Sequence, residues 1–336
     1  MSLSIKNIVL YLAALFISIF LLWRVLSKID IELLLSRIMK ADFSWVFAAV
    51  IISLISHLSR AARWNILMEP LGFRPSLFKT FLAVMVGYFA NIFLPRAGEV
   101  ARCGILTKID KVQLNSAFGT VVAERAFDFL CLITLISLSL ILEFNRFTTL
   151  FSEYVLKASP EEKLPLYFNP LFIGSIFLLT GLIILFLFRK KITSSAFFFK
   201  IREFLKGVLE GVMSFRKISR KKEFIFHTIF IWVCYYFMTY LMFFSLAETK
   251  MLGPLAGLVI LILGGLGMSA PSTGGIGTFH ELVGGGLKLF YNLKYDDGIA
   301  YAFVVHTSQF FSILIVGGLS LLICLFLTRR LNNDLR

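Results

Sequence analysis

Charge is scarce in this sequence. Only 16% of its 336 residues are Asp, Glu, Lys or Arg, where soluble domains carry roughly a quarter. Long polar stretches are missing too. The longest one, 189–223, has 35 residues, too few for a catalytic domain of its own. No GxSxG, HExxH or kinase-type signature occurs. The glycine-rich segment near residue 270 is not followed by Gly-Lys-Ser/Thr, which excludes a Walker loop, and it follows no strand. The four cysteines, Cys103, Cys131, Cys234 and Cys324, form no CxxC pair. Buried free thiols are expected, with neither a disulfide framework nor a zinc site. His227 and His306 stand singly in apolar runs with no second ligand at metal spacing, so interhelical hydrogen bonds are expected of them. These absences predict no metal, no cofactor and no catalytic residue set.

What is present is apolar. Hydrophobic residues make up 58% of the chain, 37 of them Phe, and the mean hydropathy is +0.85. Six long apolar runs fall at 8–26, 43–59, 115–142, 170–188, 224–246 and 300–327. Each is near the ~20 residues a helix needs to cross the hydrocarbon core, and unpaired backbone is excluded there. The first run lacks a small-residue cleavage site and is read as a retained span. The net charge of +14 is ascribed to cytoplasmic loops and the anionic inner leaflet, and no nucleic-acid partner is expected.

Two further stretches are apolar but interrupted: 80–95, ending at Pro95, and 252–290, broken by Pro271 and several glycines. Re-entrant or broken helical hairpins are the expectation. The fold predicted is therefore an all-α polytopic membrane protein with about six full spans and two such hairpins. Loop 189–223 carries eleven Lys/Arg against three acids and is placed inside. Loop 143–169, with three basic and four acidic residues, is placed outside. Segments 60–79 and 96–111, with four basic residues each, and the 328–336 tail are placed inside. Both termini are then cytoplasmic. Segment 24–42 falls outside against the rule, with four basic and three acidic residues. Asp296-Asp297 is assigned to a solvated outer loop.

The chain also repeats itself. Pro95-Arg-Ala-Gly-Glu99 is followed by Val121-Val122, and Pro271-Ser-Thr-Gly-Gly-Ile-Gly-Thr-Phe-His-Glu281 by Val304-Val305. An amphipathic stretch precedes each block, at 28–42 and 195–219. One membrane domain, 1–336, built as an inverted repeat of 1–145 and 165–330, is the expected plan, with the site at the repeat interface.

Three clusters carry the candidate chemistry. Asn91, Pro95, Arg96, Gly98, Glu99 and Arg102 form the first; a helix starting near Arg96 would offer free amides and arginines to an anion. Glu124, Arg125 and Asp128 form the second, where each ionisable group costs ~2.5–3.5 kcal/mol on insertion and needs a partner. An ion-pair network locking two helices explains it equally well. The third is Ser272, Gly274, Gly275 and Glu281, with close helix packing as the bland alternative. His57, Arg60 and Trp64 share a face, with Arg63 nearby. An interfacial belt of snorkelling arginines is favoured there over headgroup contact.

The pattern Arg60-x-x-Arg63-Trp64, Gly87-Tyr88…Asn91…Pro95-Arg96-x-Gly98-Glu99-x-x-Arg102, Thr120-Val-Val-x-Glu124-Arg125…Asp128, with Ala270-Pro-Ser-x-Gly-Gly-Ile-Gly-x-x-x-Glu281, resembles the lysylphosphatidylglycerol synthase transmembrane, or flippase-like, family. In its larger members this region moves an aminoacylated phospholipid between leaflets, while a separate soluble domain performs aminoacyl transfer. Others are tied to hopanoid or polyprenyl-sugar metabolism. The resemblance covers the membrane region alone, so synthase activity is not carried over. It implies a lipid flippase or scramblase in a bacterial or archaeal cytoplasmic membrane, acting on a lipid with an anionic phosphate headgroup. Arg96, Arg102 and Arg60 would hold the phosphate. Glu99, Glu124, Asp128 and Glu281 would meet cationic parts or a coupling proton, and Arg125 would hold the carboxylates. The alternatives are an enzyme or accessory factor acting on a polyprenyl-phosphate or glycolipid carrier, or a membrane partner of a separate synthase or transferase. An oligomer is compatible with any of these.

Overall fold

The computed structural model describes residues 5–94, 97–154, 218–270 and 272–333. Pro95, Arg96, Pro271, the 170–188 run and nearly all of the 195–219 stretch lie outside them. Every regular element among the described residues is helical. In the first half these are α1 (Ile5–Leu26), α2 (Ile31–Met39), α3 (Phe43–Met68), α4 (Leu77–Phe93), α5 (Gly98–Asp110), α6 (Leu114–Leu142) and α7 (Phe144–Tyr154). The second half contributes α8 (Lys221–Met242), α9 (Pro254–Ser269), α10 (Thr278–Tyr291) and α11 (Tyr295–Asn333).

Helices α3, α6, α8 and α11 are long and apolar enough to cross a membrane. Their outward faces carry large exposed apolar side chains, such as Phe47, Ile141, Phe226 and Phe326, a cost in water that lipid removes. Helix α3 runs nine residues past the apolar run that marks it, through Arg60 and Arg63, because both charges turn inward (4% and 0% exposed). That overturns the interfacial belt: neither arginine snorkels to a surface. Segment 96–111 is largely α5, in line with the helix expected to start near its beginning, and Arg102 within it is buried.

The two interrupted stretches form paired short helices. Helices α4, α5, α9 and α10 hold 17, 13, 16 and 14 residues, or roughly 25, 20, 24 and 21 Å, each short of the ~30 Å hydrocarbon core. Both pairs are antiparallel. A Cβ on Gly98 would sit 2.2 Å from the Gly87 carbonyl oxygen. In the second pair, a Cβ on Gly267 would sit 2.8 Å from Phe279 Cα. Only glycine allows these approaches. Gly284 likewise seats α11, where an added Cβ would strike Ile299.

The halves interlock. Helix α3 packs along α8, α4 packs on α11 and α9 on α6, so each short pair leans on the closing helix of the other half. The α9–α10 link meets the end of α4 and α1. There Ser18 Oγ accepts from the Thr273 amide at 2.7 Å. The acidic pair is corrected as well. Asp296 and Asp297 lie in the first turn of α11, and Asp297, 8% exposed, meets Arg37 Nη2 of α2 at 2.6 Å. Burial of the α2–α11 contact removed it from the solvated loop assigned to it.

Candidate functional site

Three helices, α3, α5 and α6, bring their charged residues to one place. Arg60 and Arg63 are one helical turn apart on α3, and Glu124 and Asp128 one turn apart on α6, so two cations face two anions. Arg60 Nη1 donates to Glu124 Oε1 at 2.6 Å and to Asp128 Oδ2 at 3.1 Å. Arg63 Nη2 donates to Glu124 Oε1 at 3.2 Å and to Asp128 Oδ1 at 2.7 Å. Helix α8 supplies the remaining acceptors: Tyr235 takes Arg60 Nη2 at 3.0 Å, and Thr228 takes Arg63 Nη1 at 3.3 Å. These pairs lock α3, α6 and α8 together. Arg60 has both terminal nitrogens committed, so it is no free phosphate ligand.

Arg102 of α5 approaches from the other side. Its Nη1 lies 3.1 Å from Glu124 Oε2, close enough for an ion pair but not aligned as a hydrogen bond. Arg102 Nε and Nη2 and Glu124 Oε2 have no hydrogen-bond partner although all three are buried. The Arg102 guanidinium stacks 4.6 Å above the Trp64 ring, a cation–π contact. Trp64 Nε1 is fixed by Thr120 Oγ1 at 2.8 Å. Arg125 Nη2, half-exposed, donates to Glu99 Oε1 at 3.0 Å. Glu99 Oε2 is buried and unpartnered.

Four arginines thus meet three carboxylates, leaving one positive charge in excess. Arg102 and Glu99 line a tight crevice with Gly87, Tyr88, Asn91 and Arg125, which has room for about one water. Asn91 is not a free ligand; its Oδ1 accepts from the Gly98 amide at 2.7 Å and so closes the start of α5. On a neighbouring face of the α4–α5 pair runs an open apolar groove of about 440 Å³. Phe89, Phe93, Ala101, Ile105 and Leu321 wall it, and Lys108 lies at it.

The second-half residues do not join this cluster directly. Ser272 Oγ bonds Thr278 Oγ1 at 2.7 Å. Gly274 and Gly275 adopt left-handed backbone, with φ of +60° and +76°, which a side chain would strain. Gly274 faces the Ile92 carbonyl at the end of α4, so the two breaks meet through backbone. Glu281 points elsewhere: Tyr295 OH donates to its Oε2 at 2.6 Å, and Lys28 Nζ lies 3.5 Å from its Oε1. His227 bonds Ser59 and His306 bonds the Gly274 carbonyl, both at 2.8 Å. The residues missed in the sequence are Tyr235, Thr228, Thr120 and His280. Tyr235 and Thr228 sit two helical turns apart on α8, a spacing that places them on one face, but nothing local marks which face.

Helices with lipid-ready outer faces, short paired helices between them and a buried charge cluster at the first break define an all-helical integral membrane protein. The sequence profile described as the lysylphosphatidylglycerol synthase TM region matches residues 11–317, and the chain belongs to that family. It is also similar to a UPF0104 membrane protein of Methanocaldococcus jannaschii, 27% identical over 34% of this chain and 35% of the relative. A UPF0104 membrane protein of Methanothermobacter thermautotrophicus is 30% identical over 32% of this chain and 34% of its own length. One from Pyrococcus horikoshii is 29% identical over 29% and 30%. The chain thus spans about a third of the length of each of these relatives. No solved structure matches it.

Proposed function

We propose that this protein moves a phosphate-bearing lipid between leaflets, with the headgroup engaged at the α4–α5 break. The observation that carries this reading is the buried, half-paired guanidinium of Arg102 beside the unpartnered Glu99 oxygen, in a cluster with one surplus positive charge. An anion such as phosphate completes Arg102. The apolar groove on the same helix pair supports a lipid, whose chain it can receive. Glu124 and Asp128 hold arginines in this reading, while Glu99 and Arg102 meet the ligand. Arg96 remains a candidate beside them.

The two halves are proposed as inverted copies, 1–145 and 165–330. Support comes from the matching order of long helix, short pair and long helix in each, and from the exchange of packing partners. Both termini are placed in the cytoplasm. Contacts agree with that arrangement: Glu69 pairs with Arg220, and Lys79 with Asp110, all inside. Arg37 pairs with Asp297, and Arg146 donates to the Phe290 carbonyl, all outside.

Reconstitution into vesicles containing fluorescent or aminoacylated phospholipids tests the reading. Wild type should exchange lipid between leaflets faster than vesicles holding an unrelated membrane protein. Glu99→Gln, which gives up only a half-exposed ion pair, should slow it. Equal exchange by wild type and Glu99→Gln across the lipid panel overturns the proposal. Covalent modification of the lipid by purified protein would favour the enzyme instead.

A further inference from the structure

The proposed transport needs a source of direction, and the carboxylates at membrane depth are poorly suited to bind a proton. Glu124 and Asp128 are held by arginines on several sides. A different titratable group is free. His280 on α10 is 2% exposed, and both its ring nitrogens lack a hydrogen-bond partner. Neutral imidazole carries one donor and one acceptor, so both stand unused. The His280 ring packs at a tilt against Phe303, 4.2 Å between ring centroids, and against His306, 4.8 Å away. The His306 Nε2–H donates to the Gly274 carbonyl, inside the left-handed turn that meets α4. Thr273 Oγ1 in that turn is also buried and unpartnered. His280 is eleven residues from Tyr291 at the far end of α10, or roughly 16 Å, about half the hydrocarbon thickness.

We infer that His280 and His306 form a single-proton site at mid-depth, whose occupancy governs the contact between the second break and α4. This deepens the transport reading by naming the coupled ion. The chemistry is simple: a proton from bulk water binds an imidazole lone pair, one N–H bond forms, and release returns it to water. Two protons cannot be held together, because two imidazolium rings this close in low dielectric repel strongly. The surroundings decide what one proton does. Helix α9 carries no titratable side chain, and α1 offers Ser18 and Leu21 at the turn. From α4 comes the Ile92 backbone. Helix α11 contributes His306 and, further out, Tyr295. Glu281, next to His280, is engaged by Tyr295 and Lys28. Among the described residues no carboxylate contacts the pair to balance an imidazolium, so the charged state must draw in water or the ligand phosphate. The glycine turn beside it is where backbone can open.

Protein in lipid nanodiscs, with ¹⁵N-labelled histidine, tests this directly. Between pH ~8 and ~3, a window wide enough for buried imidazoles that no anion balances, the His280 and His306 resonances should titrate together and take up one proton. His280→Asn or His306→Gln should abolish that shared transition. In parallel, amide exchange of residues 272–284, corrected for intrinsic rate, should rise by up to about tenfold per pH unit as pH falls towards the transition in wild type, and level off below it. It should stay flat in His280→Asn. Two histidines neutral throughout, or a pH response unchanged in His280→Asn, overturns the inference. Lipid exchange is read separately: a titrating pair without lipid movement would sink the transport reading and leave the proton site standing.

Discussion

The two breaks do the same geometric job with opposite chemistry. Each is a pair of short antiparallel helices brought together by glycine, at Gly87–Gly98 in the first and at Gly264 and Gly267 against Phe279 in the second. The first is surrounded by seven charged side chains, most of them buried. Around its glycine turn the second is neutral, held by hydroxyls, backbone and two imidazoles, with one half-exposed ion pair, Lys28–Glu281, beside it. Charge can be kept inside the bilayer only with partners on several helices, and α3, α6 and α8 supply them at the first break alone. The lesson is that the first break is a site built around fixed charge, while the second can gain charge only by titration.

The largest test of this contrast removes the hub of the network. Glu124→Gln leaves Arg60, Arg63 and Arg102 without their shared anion and should cost ~3–5 kcal/mol. Thermal unfolding in detergent, followed by loss of the monodisperse peak, reads it. The same measurement on Ser272→Ala at the second break should show at most ~1 kcal/mol. If the two variants melt alike, the contrast fails.

Next come the glycines, where the breaks should agree. Gly98→Ala and Gly267→Ala each force backbone or a neighbouring residue to move, at ~1–3 kcal/mol. Gly104→Ala, with nothing within 4 Å of the added carbon, should be neutral or slightly stabilising. Stability of Gly98→Ala equal to that of Gly104→Ala would show that the α4–α5 approach is not tight.

Trp64→Phe should be milder. It removes the bond to Thr120 and weakens the stacking on Arg102, for about 1 kcal/mol. Its more telling readout is lipid exchange, which should fall as Arg102 loses its platform. The smallest effect is ionic. Raising salt from ~0.1 to ~1 M should weaken the exposed Lys28–Glu281 pair and leave the Arg60–Glu124–Asp128 network unaltered. Melting of Lys28→Ala and wild type at both salts measures the difference.

Much of this was legible in the chain. Apolar runs of membrane length marked α3, α6, α8 and α11, because lipid imposes a length and forbids open backbone. The Pro and Gly positions marked the two broken pairs. The misreadings share one cause. Arg60 and Arg63 read as interfacial charges and Asp297 as a loop charge, since a sequence shows the cost of burying a charge but not the partner that offsets it. Those partners lie far along the chain: Asp128 is 65 residues from Arg63, and Tyr235 is 175 from Arg60.

The sequence by itself determined the solvent this protein lives in, the helical class and the places where helices break, because hydropathy and backbone chemistry act locally. Tertiary structure alone decided which charges are spent on one another and which stay available. That choice depends on distances between helices, and it left Arg102 and Glu99 half-paired at one break and His280 unpaired at the other.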